Sequence, residues 1–475
     1  AEIHYGFGYV RLLMSEIVDV TPNSLFNLTK IFIVDQTGER DEPSAVCLEG
    51  AFFNTTDDSN EIFVTLTENQ RIAALLISGV PGGDGTEGKL DAAAPCMRDM
   101  AGNLNPSDTM LNLSMYEIPD LEAPVIQSVI IHYESGIVQV HLSEKILESY
   151  WHMGNLTISN NANVTDENDQ LTNIQLVDVN TSATIIAVFA SSSEVTAGQR
   201  SAHLNFSLSE SQRVRAIALS STPGGDGSAA FLQAPPGSFT DVSLNVNVKF
   251  PKTDQWRTGV APKTMIEHPD QIAPEIIMAV LDFGASPSTL ILVHSEFIDQ
   301  TPSSKITSTF TSTNYQLRDD ADSGTTINAD LTLTRVVDVS ATGGTFVPHP
   351  INHPQSLIGD GYNMTFTLTE SQRVRLIQLS GTPGGDGAPL RLRVGADLYT
   401  DVATNGNLAT VGGDLEVVEL VDTTPPTILS CTIDLNNGDV SVTADETIDA
   451  NPAIEYNVWT LTISSTTFAS SVVKG

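Results

Sequence analysis

Cysteine is nearly absent. Three residues in 475 are too few for a disulfide framework, and no Cys-x-x-Cys spacing of the kind used by zinc or redox sites occurs. Cys47 and Cys96 lie in one segment of the chain, so a bridge between them is a candidate, whereas Cys431 has no mate nearby. Long apolar runs are also missing. No stretch approaches the roughly 18 residues a spanning helix needs, so no membrane insertion is expected in this segment. Basic residues are scarce: 22 Lys plus Arg stand against 58 Asp plus Glu, a net charge of −36. Such a surface repels nucleic acid and anionic lipid, and it attracts cations or basic partners. Ala1 opens neither with an initiator Met nor with a signal-peptide pattern, so any export signal is expected to have been removed or to lie outside this sequence. No Gly-x-Ser-x-Gly, His-Glu-x-x-His or dinucleotide-binding fingerprint is found, and the histidines are scattered. His349 and His353 are four apart, but in a proline-flanked loop without counterpart elsewhere. The expectation is a protein that is not an enzyme.

What the chain does have is a repeat. LTENQRIAALLISGVPGGDG from Leu66, LSESQRVRAIALSSTPGGDG from Leu208 and LTESQRVRLIQLSGTPGGDG from Leu368 align without gaps. Arg71, Arg213 and Arg373 recur at spacings of 142 and 160, and Asp84, Asp226 and Asp386 keep those spacings. So do Asp99, Asp241 and Asp401, with Asn103/Asn105, Asn245/Asn247 and Asn405/Asn407 following them. A second set marks each start: Asp120, Asp270 and Asp422 each precede a proline by four residues, and strands closing in Glu144, Glu296 and Glu446 follow. Glu16 matches these glutamates. The implied units are 1–119 (its first strand missing), 120–269, 270–421 and a partial 422–475.

Within a unit, stretches such as IVQVHLSE and DVSVTADE alternate apolar and polar residues and are rich in β-branched side chains. That pattern predicts half-buried strands. Many short runs of this kind, parted by Asn, Asp, Gly and Ser clusters, predict an all-β fold of tandem Ig-like β-sandwiches. One segment departs from it. Thr67-x-x-Gln70, Ser209-x-x-Gln212 and Thr369-x-x-Gln372 are capping boxes. The apolar residues after them (Ile72, Leu75, Leu76; Val214, Ile217, Ala218) fall at helical spacing, so each unit is expected to carry one short inserted α-helix. PGGDG then reads as a turn needing positive φ, because no Lys-Ser/Thr follows to make a phosphate loop.

The recurrent acidic and amide positions raise a metal question. Calcium takes six to eight oxygens from carboxylates, amides and carbonyls. Its candidate ligands are Asp84, Asp99, Asn103 and Asp120; Asp226, Asp241, Asn245 and Asp270; and Asp386, Asp401, Asn405 and Asp422. On a straight strand Asp99 and Asn103 would sit about 13 Å apart, so one ion needs the chain to turn between them. Ala101-Gly102-Asn103 can turn; Val242-Ser243-Leu244 reads as unable to. No cofactor is otherwise required. The recurrent Ser-Glu pairs read as polar strand ends, since no partner carboxylate recurs at a spacing suited to acid–base work.

Asn-x-Ser/Thr triplets occur at Asn27, Asn54, Asn112, Asn155, Asn163, Asn180, Asn205 and Asn363, and these are candidate sites for N-linked glycans. Asn27-Leu-Thr and Asn155-Leu-Thr occupy matching places. The run TSTFTST at 307–313 could carry further sugar.

The DTTPPTI opening at Asp422 and the strand closing in Glu resemble the Ig-like repeats of bacterial surface-layer and adhesin proteins. The fuller unit, with its LTESQR helix, PGGDG turn and Asp-x-x-x-Asn-x-Asn close, resembles repeats of algal and protist cell-surface proteins, including mastigoneme-type filament glycoproteins. The resemblance implies Ig-like sandwiches strung into a glycan-decorated extracellular fibre. The expected role is a structural subunit of such a filament or cell-surface appendage, self-associating, for example by strand addition at an open sheet edge. The alternative is a calcium-stiffened adhesin binding a glycan or protein ligand, for which the Gly-, Pro- and His-rich insertion at 342–360 is the candidate surface.

Overall fold

The computed structural model describes residues 1–35, 40–105, 113–147, 151–160, 200–251, 263–300, 314–319, 361–410 and 414–449, with short strands inside 173–186 and at 331–332 and 339–341. Asn112, Asn163, Asn180, the 307–313 run and the 342–360 insertion with His349 and His353 lie outside the described residues.

The alternation read from the sequence becomes two-sheet packing. In Ile137–Leu147 the side chains of Val138, Val140 and Leu142 are buried while their neighbours face outward. This strand pairs antiparallel with Ile126–His132 on one side and Arg200–Ser207 on the other. Tyr9–Val18 and Thr289–Ile298 hold the same place between their own neighbours. A bulge recurs near the start of the first strand, at Ile126/Ser128, Ile276/Met278 and Ile428/Ser430. The residue before each junction glutamate fixes it: Ser143 and Ser295 Oγ and Asp445 Oδ1 accept the backbone N–H of Val125, Glu275 and Thr427. A second sheet faces the first. It is built on Ile31–Val34 with Lys89–Ala92, on Thr157–Ser159 with Phe231–Gln233, and on Tyr315–Asp319 with Leu390–Val394. The closing strand runs parallel to the opening one, as Tyr116–Ile118, Ile266–His268 and Leu415–Leu420 do. Leu415–Leu420 pairs with both sheets and joins them into one eight-stranded sheet.

The fold is therefore all-β: tandem Ig-like sandwiches, with one short helix in each of the first three units. The helices Glu68–Leu76, Glu210–Ala218 and Glu370–Gln378 all start in the expected capping boxes, with Thr67, Ser209 and Thr369 as N-caps. Each cap accepts the backbone N–H of the glutamine three residues on, whose side chain accepts the cap's own N–H in return.

Among the described residues three hydrophobic cores form, and two reach across a boundary. The first spans Ile3 to Met115 and takes in Val242; the second spans Ile126 to Met265 and takes in Phe297, Val402 and Ala403; the third spans Ile276 to Val417. Burial of one such aliphatic or aromatic side chain contributes about 1.5–3 kcal/mol, so these crossing residues couple neighbours energetically.

Two expectations need correction. The opening strand of the first sandwich is present, as Glu2–His4 paired with Tyr9–Arg11 and with Tyr116–Ile118. It is shorter than Ile126–His132, and Ile3-His4-Tyr5 repeats Ile131-His132-Tyr133, which is why it takes the same slot. Cys47 and Cys96 do not bridge; both are free thiols. Cys47 pairs with Phe32 on one side of Ile31–Val34, whereas Lys89–Ala92, the strand leading to Cys96, lies on the other. Cys47 Sγ lies instead 3.5 Å from the Thr29 carbonyl oxygen, and Cys96 is buried in the first core.

Replacing Ser209 by Ala removes a cap worth about 1 kcal/mol. Amide exchange across helix 210–218 should then run about fivefold faster. Unchanged exchange would show that the cap contributes nothing to holding the helix.

Candidate functional site at the unit junctions

The periodic arginine defines the site. The capped helix projects Arg213 toward the following unit, where its side chain is only 7% exposed. Its Nε and Nη2 donate to the two oxygens of Glu210, one helical turn earlier, at 2.6 Å each. Nη1 donates to Asp270 Oδ2 and to the backbone oxygen of Tyr133, and Nη2 also donates to Glu296 Oε2 at 2.9 Å. Arg71 repeats this with Glu68, Asp120 at 2.8 Å, the Tyr5 carbonyl and Glu144 at 3.3 Å. Arg373 contacts Asp422, Glu446 and Glu370. A guanidinium offers five N–H donors in a planar fork, and this arrangement uses them all at the first two junctions.

The boundary aspartate divides its oxygens between two tasks. Oδ1 of Asp120, Asp270 and Asp422 accepts the backbone N–H two residues on, which turns the chain into the next unit. Oδ2 receives the arginine. The helix glutamate also crosses the boundary, since Glu210 Oε1 accepts the N–H of Phe297 and Glu370 Oε1 that of Thr447.

The Asp-x-x-x-Asn close completes the site, against expectation. Val242-Ser243-Leu244 does turn: Leu244 takes a φ of 70°, Thr404 takes 73°, and Gly102 holds the same place at 83°. A left-handed non-glycine residue costs roughly 1–2 kcal/mol. The cost is offset because Asp241 Oδ1 and Oδ2 accept the backbone and side-chain N–H groups of Asn245 at 2.7 and 2.9 Å, and Asp401 does the same for Asn405. Asn245 and Asn405 Nδ2 also reach the backbone oxygens of Asp120 and Asp270. The tip of this turn inserts against the preceding unit's PGGDG. A Cβ added to Gly82 would lie 2.1 Å from the Val242 carbonyl oxygen, and one added to Gly224 would lie 2.0 Å from that of Val402.

Among the described residues two carboxylate triads result, Asp120–Glu144–Asp241 and Asp270–Glu296–Asp401, each with one oxygen per residue within 4.8 Å of the others. The candidate ligands thus separate. Asp120, Asp241 and Asn245 meet, as do Asp270, Asp401 and Asn405. Asp84, Asp226 and Asp386 do not join them; each is exposed and accepts the N–H two residues on, as an Asx turn. Asp99 and Asn103 form the same turn as their counterparts, but Asn103 is exposed and Asp99 only half-buried, and Asn103's donation holds the Asp99 carboxyl low. Asp422 meets Glu446 beside a cavity of about 380 Å³. Glu144 and Glu296, read from the sequence as plain strand ends, are members of the triads. They recur 24 to 26 residues after the boundary aspartates, and this was the signal that could have found them.

Four carboxylates face each of the first two arginines, so charge is unbalanced. Burial, with Asp120 and Asp241 nearby, pushes Glu144 up to about 8 against the opposing pull of Arg71. Burial raises Glu296 to about 7, against relief from Arg213, and raises Asp241 and Asp401 to about 6, against their asparagine donors. Burial lowers the affinity of Arg71 and Arg213 for their proton, but the ion pairs more than compensate and both stay charged.

Among the candidate glycosylation sites, Asn54 and Asn155 are exposed, while Asn27, Asn205 and Asn363 are half-buried. Asn27 caps the short 3-10 turn Leu28–Lys30.

Removing one partner of a buried ion pair costs about 3–5 kcal/mol. Arg213→Ala should therefore lower the melting midpoint clearly, whereas Arg375→Ala, on the outer face of its helix, should leave it within error in the same calorimetric scan. Equal behaviour would remove the arginine from its central place. For pH, the triad acids have pKa values above their reference values of 4.5 and 3.8. The folded state then holds protons more tightly than the unfolded chain, so this stabilisation is full below about pH 4 and is lost as pH rises toward 8. In chelator, the midpoint should fall from pH 5 to 8, with a shallower slope in a Glu144→Gln, Glu296→Gln double variant. A slope unchanged by that double variant would contradict the assignment.

No family model and no curated protein matches the chain. Solved structures overlap it at low identity. One is a chain titled structure of surface layer protein SbsC, domains 1-6, at 10% identity and a TM-score of 0.17; it covers 96% of this chain, which spans 57% of its length. Another is a marsupial T cell receptor at 11% identity and a TM-score of 0.13, covering 83% of this chain and 94% of its own. Neither overlap bears on what the chain does.

Proposed function

We propose that this protein is a structural subunit of an extracellular filament or surface array, built from units 1–119, 120–269, 270–421 and 422–475 and held in line by its junctions. One observation carries the reading: the same arginine–aspartate–glutamate lock is buried at two successive boundaries and recurs at a third. Beads that only needed to be tethered would be joined by polar, mobile linkers with few crossing contacts. Here Val242 and Val402 plug into the preceding core instead. A surface with a net charge of −36 keeps such a chain soluble and hydrated. The exposed sequons Asn54 and Asn155 fit a glycan-decorated exterior. Catalysis has no place in this reading, and self-association of copies, by strand addition or end to end, follows from it.

Solution scattering tests the reading. The eleven-residue strand Ile137–Leu147 makes a unit about 35 Å long at ~3.3 Å per residue. Three or more units in line should therefore give a maximum dimension of roughly 100 Å or more. Gly224→Ala, which forces a Cβ onto the Val402 carbonyl, should broaden the distance distribution as the second junction opens. A folded-back particle in the unaltered protein would overturn the proposal.

A further inference from the structure

We propose that the triad Asp270–Glu296–Asp401 binds a calcium ion that ties one unit to the next. This deepens the structural reading above and rests on it. The triad draws its carboxylates from a boundary aspartate, the end of the next unit's strand and that unit's closing turn, so an ion there holds three separate segments together.

Acidic groups often cluster without a ligand, and the second junction supplies an independent sign of one. Glu296 is 7% exposed, and its Oε1 has no hydrogen-bond partner although Oε2 is held by Arg213. A buried carboxylate oxygen left unpaired costs on the order of 1–3 kcal/mol or more. Protonation does not remove the difficulty, because a proton on that oxygen would need an acceptor in its turn. A cation does remove it.

Charge points the same way. Asp270, Glu296, Asp401 and Glu210 bring four negative charges to one guanidinium. A divalent ion reduces the excess from three to one. Three carboxylates bring oxygens within 4.8 Å of one another, and water can supplement them to the six to eight that calcium takes in a flexible sphere, whereas magnesium demands a near-ideal octahedron. Arginine and calcium do not compete for one position at Glu296, since Arg213 takes Oε2 and leaves Oε1. The turn asparagine Asn405 sets the geometry by fixing Asp401 from behind.

The test uses the full chain, stripped with chelator and titrated with calcium chloride in a calorimeter. The expected result is saturable binding with a dissociation constant on the order of 10⁻⁴–10⁻³ M as in extracellular modules, and a higher melting midpoint when saturated. Glu296→Gln keeps an oxygen for Arg213 but removes the charge, and should abolish that binding. Circular dichroism and the melt of the metal-free variant report folding, and Arg375→Ala serves as a surface control that keeps the ion. Absence of saturable binding, undiminished binding in Glu296→Gln, or equally tight binding of magnesium chloride would each overturn the assignment. Scattering separates the two readings: an extended particle in chelator with no calcium binding defeats the ion alone, and a folded-back particle in calcium defeats the structural role.

Discussion

A buried arginine that must be neutralised from three directions is the constraint on which the rest of the chain depends. Arg213 is fixed by its own helix through Glu210, by the boundary through Asp270 and by the next unit through Glu296. Removing any one leaves charge stranded in a low-dielectric pocket, so the three elements are held in one arrangement. The helix, an unusual feature in a β-sandwich, is explained by this need. Its capping box and its Glu-x-x-Arg spacing aim a rigid cation at the sandwich pole, where a loop would leave the side chain loose.

The same logic accounts for the strained turn. Leu244 and Thr404 adopt positive φ, where glycine would be easier. Between them, Asp241 and Asn245 make a closed hydrogen-bonded clasp that presents Val242 to the preceding core and a carboxylate to the triad. One local conformation therefore supplies an apolar plug and a charged group together. PGGDG complements it, because only a residue without Cβ admits the Val242 or Val402 carbonyl at that distance. Turn, glycine loop and helix are three parts of one joint, divided between two units. Proton, arginine and divalent cation all answer the same local excess of negative charge.

Much of this was legible from the chain alone. The repeat arithmetic found most parts of the joint, since Arg71, Arg213 and Arg373, PGGDG and the Asp/Asn close keep spacings of 142 and 160, and the boundary aspartates recur beside them at 150 and 152. The capping boxes and alternating strands followed from local rules of backbone hydrogen bonding and side-chain period, which depend only on near neighbours in sequence. Even so, Ile3-His4-Tyr5 was too short to register as a strand until its partners were in place.

The sequence by itself determined the local elements and their order: strands, one capped helix, a glycine turn and an Asp/Asn close in each unit. Tertiary structure alone decided which parts meet. Residues 73 to 83 apart in the chain, such as Arg71 with Glu144 and Arg213 with Glu296, become ion-pair partners only when one sandwich is stacked on the next. Whether Val-Ser-Leu turns, and whether a strand-end glutamate is surface or buried joint, depends on that stacking. The energy that settles each case comes from long-range burial and charge balance, which no local window of sequence contains.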